Sequence, residues 1–176
     1  MGDGDCGETL KTGATALLSA LDSGAAKSGS AIKVLQELEN IVESKMGGTL
    51  GGILGIFFVS LTTALQRNTS SVEGVKLWGK AMTIALNNLQ SYTPAKVGDR
   101  TVMDVFIPFA EALDKTGDFK KAVDDAVKAA EKTKTLQPKL GRATYVGGME
   151  GKDLPPDPGA WGAMVAIKGL LQGSSK

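Results

Sequence analysis

The 176-residue sequence contains no histidine. That removes the usual general base near neutral pH, a common zinc ligand, and a covalent carrier of substrate or phosphate. A single cysteine, Cys6, excludes an intramolecular disulfide and fits a reducing, intracellular setting. Aromatic residues make up only 5%, while glycine and alanine are plentiful, which favours close-packed helices. Net charge is +1, from 20 basic and 19 acidic side chains, and no basic patch is interleaved with aromatics, so nucleic acid is not an expected partner. The polar, acidic N-terminus is unlike a secretory signal. Charge is also absent from 46–66, a span long enough to cross a bilayer. Its early glycines, with Ser60, Thr62 and Thr63 further on, read instead as a buried core helix, and no membrane is expected.

What is present starts with Gly2-Asp3-Gly4-Asp5-Cys6-Gly7-Glu8-Thr9. Glycines permit a tight loop and close approach of a ligand to the backbone. Carboxylates on such a loop are hard oxygen donors suited to Mg²⁺ or Ca²⁺. The helix after it offers free N–H groups to an anion. On spacing alone Asp3 and Asp5 read first as a solvated turn that caps this helix and only second as metal ligands, and the remaining ligands of an EF-hand are absent. Cys6 reads as a small loop residue with no redox role, since the adjacent carboxylates oppose a reactive thiolate.

Apolar periodicity then predicts helices along the whole chain. Leu10, Ala14, Leu17, Leu18 and Leu21 mark the first, and Ile32, Leu35, Leu38 and Val42 the second. The glycine-rich turn Gly47-Gly48-Thr49-Leu50-Gly51-Gly52 leads into a third helix, apolar nearly all round and therefore expected at the centre, ending near Arg67-Asn68. This turn lacks the lysine of a P-loop and no strand precedes it, but amides freed by glycines at a helix start can wrap phosphate oxygens. Val75, Trp78, Met82, Leu86 and Leu89 trace a fourth helix, followed by a loop over 91–99. Met103, Phe106, Ala110 and Leu113 give a fifth, with a kink expected at Pro108. Asp118 caps a sixth, along Phe119, Val123, Val127 and Ala130. After a long loop over 137–156, Asp157-Pro158-Gly159 opens the last helix, with Asp157 as N-cap and Pro158 at the first helical position. Arg142, in the small-residue loop, reads as a solvated arginine or a phosphate contact. No strand alternation is visible, so the fold is all-α, with antiparallel helices and functional loops at their ends.

Four ordered blocks resemble the C-terminal, nucleotide-binding domain of dihydroxyacetone kinases. They are Gly2-Asp3-Gly4-Asp5-Cys6-Gly7, Gly47-Gly48-Thr49-Leu50-Gly51, Gly98-Asp99-Arg100-Thr101-Val102-Met103-Asp104, and Gly141-Arg142-Ala143 with Asp157-Pro158-Gly159-Ala160. The resemblance implies a barrel of amphipathic antiparallel helices with ATP at one end. Asp3 and Asp5 match Mg²⁺-holding carboxylates. Cys6, Gly7, Glu8, Thr9, Thr49, Leu50, Thr93, Val102, Arg142, Asp157, Pro158 and Gly159 match positions around the nucleotide. Leu50 stands where many relatives have serine, leaving only backbone donors there.

The resemblance further implies that residues 1–176 form one nucleotide domain, incomplete at its N-terminus, with a preceding helix and its metal-binding aspartate missing. The implied activity is transfer of the ATP γ-phosphoryl group to dihydroxyacetone, held by a separate domain of the same full-length, cytoplasmic, homodimeric protein. That domain binds dihydroxyacetone through a histidine, which this sequence lacks, and no catalytic residue is identifiable here, so this portion alone is expected to be inactive. Two alternatives remain open from the sequence: an ADP-coenzyme subunit of a phosphotransferase-dependent kinase, and a nucleotide-binding module without catalysis.

Overall fold

The computed structural model describes residues 4–68, 74–140, 144 and 154–174. Among the described residues there are seven α-helices, a short 3₁₀ turn at Thr133–Thr135 and no strand. They are α1 (Cys6–Asp22), α2 (Ala31–Lys45), α3 (Gly48–Gln66), α4 (Gly74–Leu89), α5 (Met103–Thr116), α6 (Phe119–Lys132), the turn Thr133–Thr135, and α7 (Pro158–Ser174).

Local chemistry accounts for several boundaries. Asp118 accepts from the Lys121 amide at 2.9 Å and starts α6. Ser30 accepts from the Lys33 amide at 3.4 Å and starts α2. Asp157 Oδ1 accepts from the Ala160 amide at 2.8 Å, ahead of Pro158 at the first position of α7, where a missing N–H loses no helical bond. Gly117 closes α5 with φ 68°, a left-handed cap that lets the chain turn into α6 within two residues. The helix α5 runs through Pro108 as one element.

Each helix packs against its neighbour in sequence, most extensively α4 on α5, and α7 turns back onto α5 and α1. The connections from α2 to α3 and from α5 to α6 are only two residues long, which keeps those helices adjacent. The core is densest around α4 and α5, where Met82, Ala85, Leu86, Leu89, Val105, Phe106, Phe109 and Leu113 are buried. The rings of Phe57 and Phe106 stack at 4.7 Å, joining α3 to α5. Gly79 makes the α4–α5 approach possible, since a Cβ there would lie 2.3 Å from the Asp114 nitrogen.

Two expectations from the sequence need correction. The glycine-rich stretch is no loop: Gly48 to Gly52 are already helical and form the first turn of α3. Gly51 explains why glycine is accepted despite its poor helix propensity, because a Cβ there would meet the Met46 carbonyl oxygen at 2.2 Å. Nor is α3 the central helix. It buries one face, Gly51, Leu54, Phe57, Leu61 and Thr62, while Val59 is 52% exposed. It is the one described helix long and apolar enough to cross a membrane, and here it packs between α2 and α4, with Thr62 donating to the Glu39 carboxylate.

Candidate functional site

A cleft of about 380 Å³ opens where the N-terminal ends of α1, α3, α5 and α7 converge. Asp5, Cys6 and Thr9 bring the start of α1, Gly47 to Leu50 the start of α3, Val102 and Met103 the start of α5, and Asp157 to Gly159 the start of α7. Thr93, Pro94 and Ala95 form the wall ahead of α5, and Ile53 and Leu140 add apolar surface. Helices α1, α3, α5 and α7 thus present their positive dipole ends to one space, a setting that favours an anion.

The four ends differ in how their amides are satisfied. In α5, Asp104 accepts from the Thr101 amide at 2.8 Å and the Gly98 amide at 2.7 Å, and the Thr101 hydroxyl accepts from the Met103 amide at 3.2 Å. In α7, Asp157 holds the Ala160 amide. By contrast, α1 and α3 have no side-chain cap. The first amide to bond back is Thr9 to Asp5 in α1 and Gly51 to Gly47 in α3. The amides of Cys6, Gly7 and Glu8, and of Gly48, Thr49 and Leu50, therefore have no partner inside their helices. Where α5 and α7 use their own carboxylates, α1 and α3 have no such side-chain cap among the described residues.

Electrostatics in the cleft are set by burial. Burial pushes the Cys6 thiol pKa up, helped by Asp157 and Asp5, a direction that disfavours the thiolate. Burial also raises the Asp157 carboxyl, against the opposing Ala160 amide and the Arg100 guanidinium. Arg100 is itself pulled down by burial, and Asp157 and Asp104 oppose that shift.

The structure brings most of the expected site residues together. Asp5, Cys6, Thr9, Thr49, Leu50, Thr93, Val102, Asp157, Pro158 and Gly159 all line the cleft. Gly7 and Glu8 sit in the first turn of α1 and are exposed, outside the lining. Asp3 and Arg142 lie outside the described residues. The sequence reading missed Arg100, Asp104 and Thr133. Thr101-Val102-Met103-Asp104 carries the Thr-x-x-acid spacing of a capping box, a local sequence signal that could have found Asp104. Nothing in the periodicity marks Arg100, whose burial depends on segments more than thirty residues away.

An all-helical fold whose helix starts converge on one cleft is a setting that favours a bound anion. The DAK2 domain family matches residues 1–172, and the chain belongs to that family. It is 39% identical over 178 residues to a dihydroxyacetone kinase of Komagataella pastoris, covering 96% of this chain and 29% of that protein. A solved structure of the dihydroxyacetone kinase of C. freundii in its native form is similar with a TM-score of 0.75 and 24% identity, over 98% of this chain and 29% of that one. The same kinase in complex with AMP-PNP and Mg²⁺ is similar with a TM-score of 0.71 and 23% identity, over 98% of this chain and 29% of that one. The chain therefore spans about three-tenths of the length of the relatives it matches.

Proposed function

We propose that this chain is the nucleotide-holding part of an ATP-dependent dihydroxyacetone kinase, working with Mg²⁺. The carrying observation is the convergence of the starts of α1, α3, α5 and α7 on one cleft, with α1 and α3 left uncapped. Similarity to kinases acting on dihydroxyacetone, one of them described with a nucleotide analogue and Mg²⁺, supports the reading. The ring of contacts in sequence order, with α7 returning to α1, supports a barrel of antiparallel helices with the nucleotide at one end.

The cleft's donors fit a metal–nucleotide. Asp5 supplies a hard carboxylate at the cleft, and Asp3 is its expected companion. Oxygens of the bound nucleotide and water would be further ligands for an ion held by these aspartates. Bound Mg²⁺ supplies neutralisation of phosphate charge. The open amides of α1 and α3 orient the phosphates, Thr49 adds a hydroxyl, and Ile53, Ala95, Val102, Met103 and Leu140 give the base an apolar wall. Phosphoryl transfer rests on such positioning more than on covalent chemistry. With no histidine in the chain, holding dihydroxyacetone and accepting its hydroxyl proton fall to a separate part of a cytoplasmic, full-length homodimer.

The test is reconstitution. The protein is mixed with a dihydroxyacetone-binding domain, ATP, Mg²⁺ and dihydroxyacetone. Formation of dihydroxyacetone phosphate, abolished when either protein is omitted, is the expected result. Absence of product from a mixture whose full-length counterpart is active rejects the kinase role for this chain.

A further inference from the structure

Arg100 is the largest fully buried side chain among the described residues, 1% exposed. Its backbone lies at φ 61°, the left-handed region that non-glycine residues seldom occupy. Nη1 donates to the Thr133 carbonyl at 2.6 Å and to the Leu136 carbonyl at 3.4 Å. Nη2 donates to the Pro155 carbonyl at 2.7 Å. A residue at the entrance to α5 thus holds both the turn that follows α6 and the approach to α7. Thr133 extends the connection, because its hydroxyl accepts from the Asp157 amide at 2.9 Å while donating to the Ala130 carbonyl at 2.6 Å. Asp157 in turn caps α7 and lines the cleft.

Burying a guanidinium is expensive for stability alone, and well-packed apolar groups commonly serve that end as well or better. What a guanidinium adds is a rigid planar fork that fixes several acceptors relative to one another. Here the acceptors belong to chain segments that carry two different walls of the cleft. Asp104 pins the Arg100 side of this arrangement, through the Gly98 and Thr101 amides on either side of Arg100.

We propose that Arg100 is a positioning residue for the nucleotide: its fork locks the start of α5 to the approach of α7, so that Val102 on one wall and Asp157-Pro158-Gly159 on the other stand preset for binding. The inference rests on the nucleotide reading above. Lysine at this position keeps the charge but has no fork able to hold the Thr133 and Pro155 carbonyls together, so charge alone does not rescue the function.

The experiment titrates ADP with Mg²⁺ into the wild-type protein, Arg100→Lys and Thr133→Val by calorimetry, alongside amide hydrogen exchange on each without nucleotide. Binding is expected to weaken at least tenfold in Arg100→Lys and about threefold to tenfold in Thr133→Val, where one acceptor is lost without disturbing the charge. Protection at the Ala160 and Trp161 amides is expected to fall in both variants, while amides of the α3–α4 core keep theirs. Affinities within twofold of wild type in folded variants overturn the proposal. So does a loss of protection spread evenly through the chain, which marks Arg100 as a general stability residue. If Arg100→Lys does not fold, Arg100→Gln, which keeps a planar head but cannot hold the Thr133 and Pro155 carbonyls together, decides by the same two readouts. A wild-type protein that fails to bind ADP with Mg²⁺ overturns the nucleotide reading itself, a result distinct from variants that match a binding wild type.

Discussion

Gly79→Ala places one methyl group where α4 meets α5, the most extensive helix contact in the fold. The added Cβ would lie 2.3 Å from the Asp114 nitrogen and 2.7 Å from both the Asp114 Cα and the Leu113 carbonyl carbon. Favourable separations between such atoms are about 3.5–4.0 Å, so the helices must part by roughly 1 Å. All three obstructing atoms are backbone, so no rotamer change relieves them. Overpacking of this kind costs about 1–3 kcal/mol, and a rigid backbone obstacle belongs at the upper end. Alanine returns up to about 1 kcal/mol through its better helix propensity. The balance is a loss of about 2 kcal/mol, or roughly 4–8 °C in melting temperature for a chain of this size. Gly13→Ala is the matched control: its Cβ meets the Met46 sulfur at 2.5 Å, the adaptable end of a flexible side chain. That variant should stay within about 1 kcal/mol of wild type. Thermal denaturation followed by far-ultraviolet circular dichroism compares the three proteins. Gly79→Ala melting at or above wild type refutes the packing argument.

Other predictions follow from the caps and from the cleft. Asp118→Ala removes the acceptor for the Lys121 amide and should cost about 1 kcal/mol, read as a lower urea midpoint with an unchanged slope. Asp157 has a folded-state pKa raised above its ordinary 3.8, so its ionisation opposes folding: its contribution is fully present below that value and is lost as pH rises through the raised folded one. Asp157→Asn keeps an oxygen for the Ala160 amide and should flatten this dependence, so urea midpoints of wild type should fall relative to the variant as pH climbs from about 4. Parallel pH profiles for the two proteins contradict that assignment.

Much of the helix pattern was legible because it depends on neighbours in sequence. Asp118 before Phe119, and Asp157 before Pro158, start helices through bonds to amides three residues on, and those signals read directly. The glycines from Gly47 to Gly52 misled because propensity weighs them as loop formers, whereas contact with Met46 makes Gly51 necessary within a helix. The helix α3 misled in another way: an all-round apolar surface implies burial on all sides, yet Phe57 is buried and Val59 open. At the site, Asp5 stood out as a carboxylate on a glycine loop and Asp157 as a helix cap, whereas Thr93 and Val102 emerged only through resemblance to a family, and the structure brings all four to one cleft. Arg100 stayed hidden because its partners, Thr133 and Pro155, lie 33 and 55 residues away and contribute only backbone carbonyls, which carry no sequence signature.

The central claim is that this cleft holds a metal–nucleotide through Asp5 and the open helix starts. Calorimetric titration of ATP, with and without Mg²⁺, into wild type and Asp5→Ala tests it most directly. The account predicts Mg²⁺-dependent binding by wild type, weakened at least tenfold in Asp5→Ala, with unchanged helical circular dichroism, since a tenfold loss corresponds to about 1.4 kcal/mol. Binding of equal strength in both proteins, or no Mg²⁺-dependent binding by wild type, contradicts it.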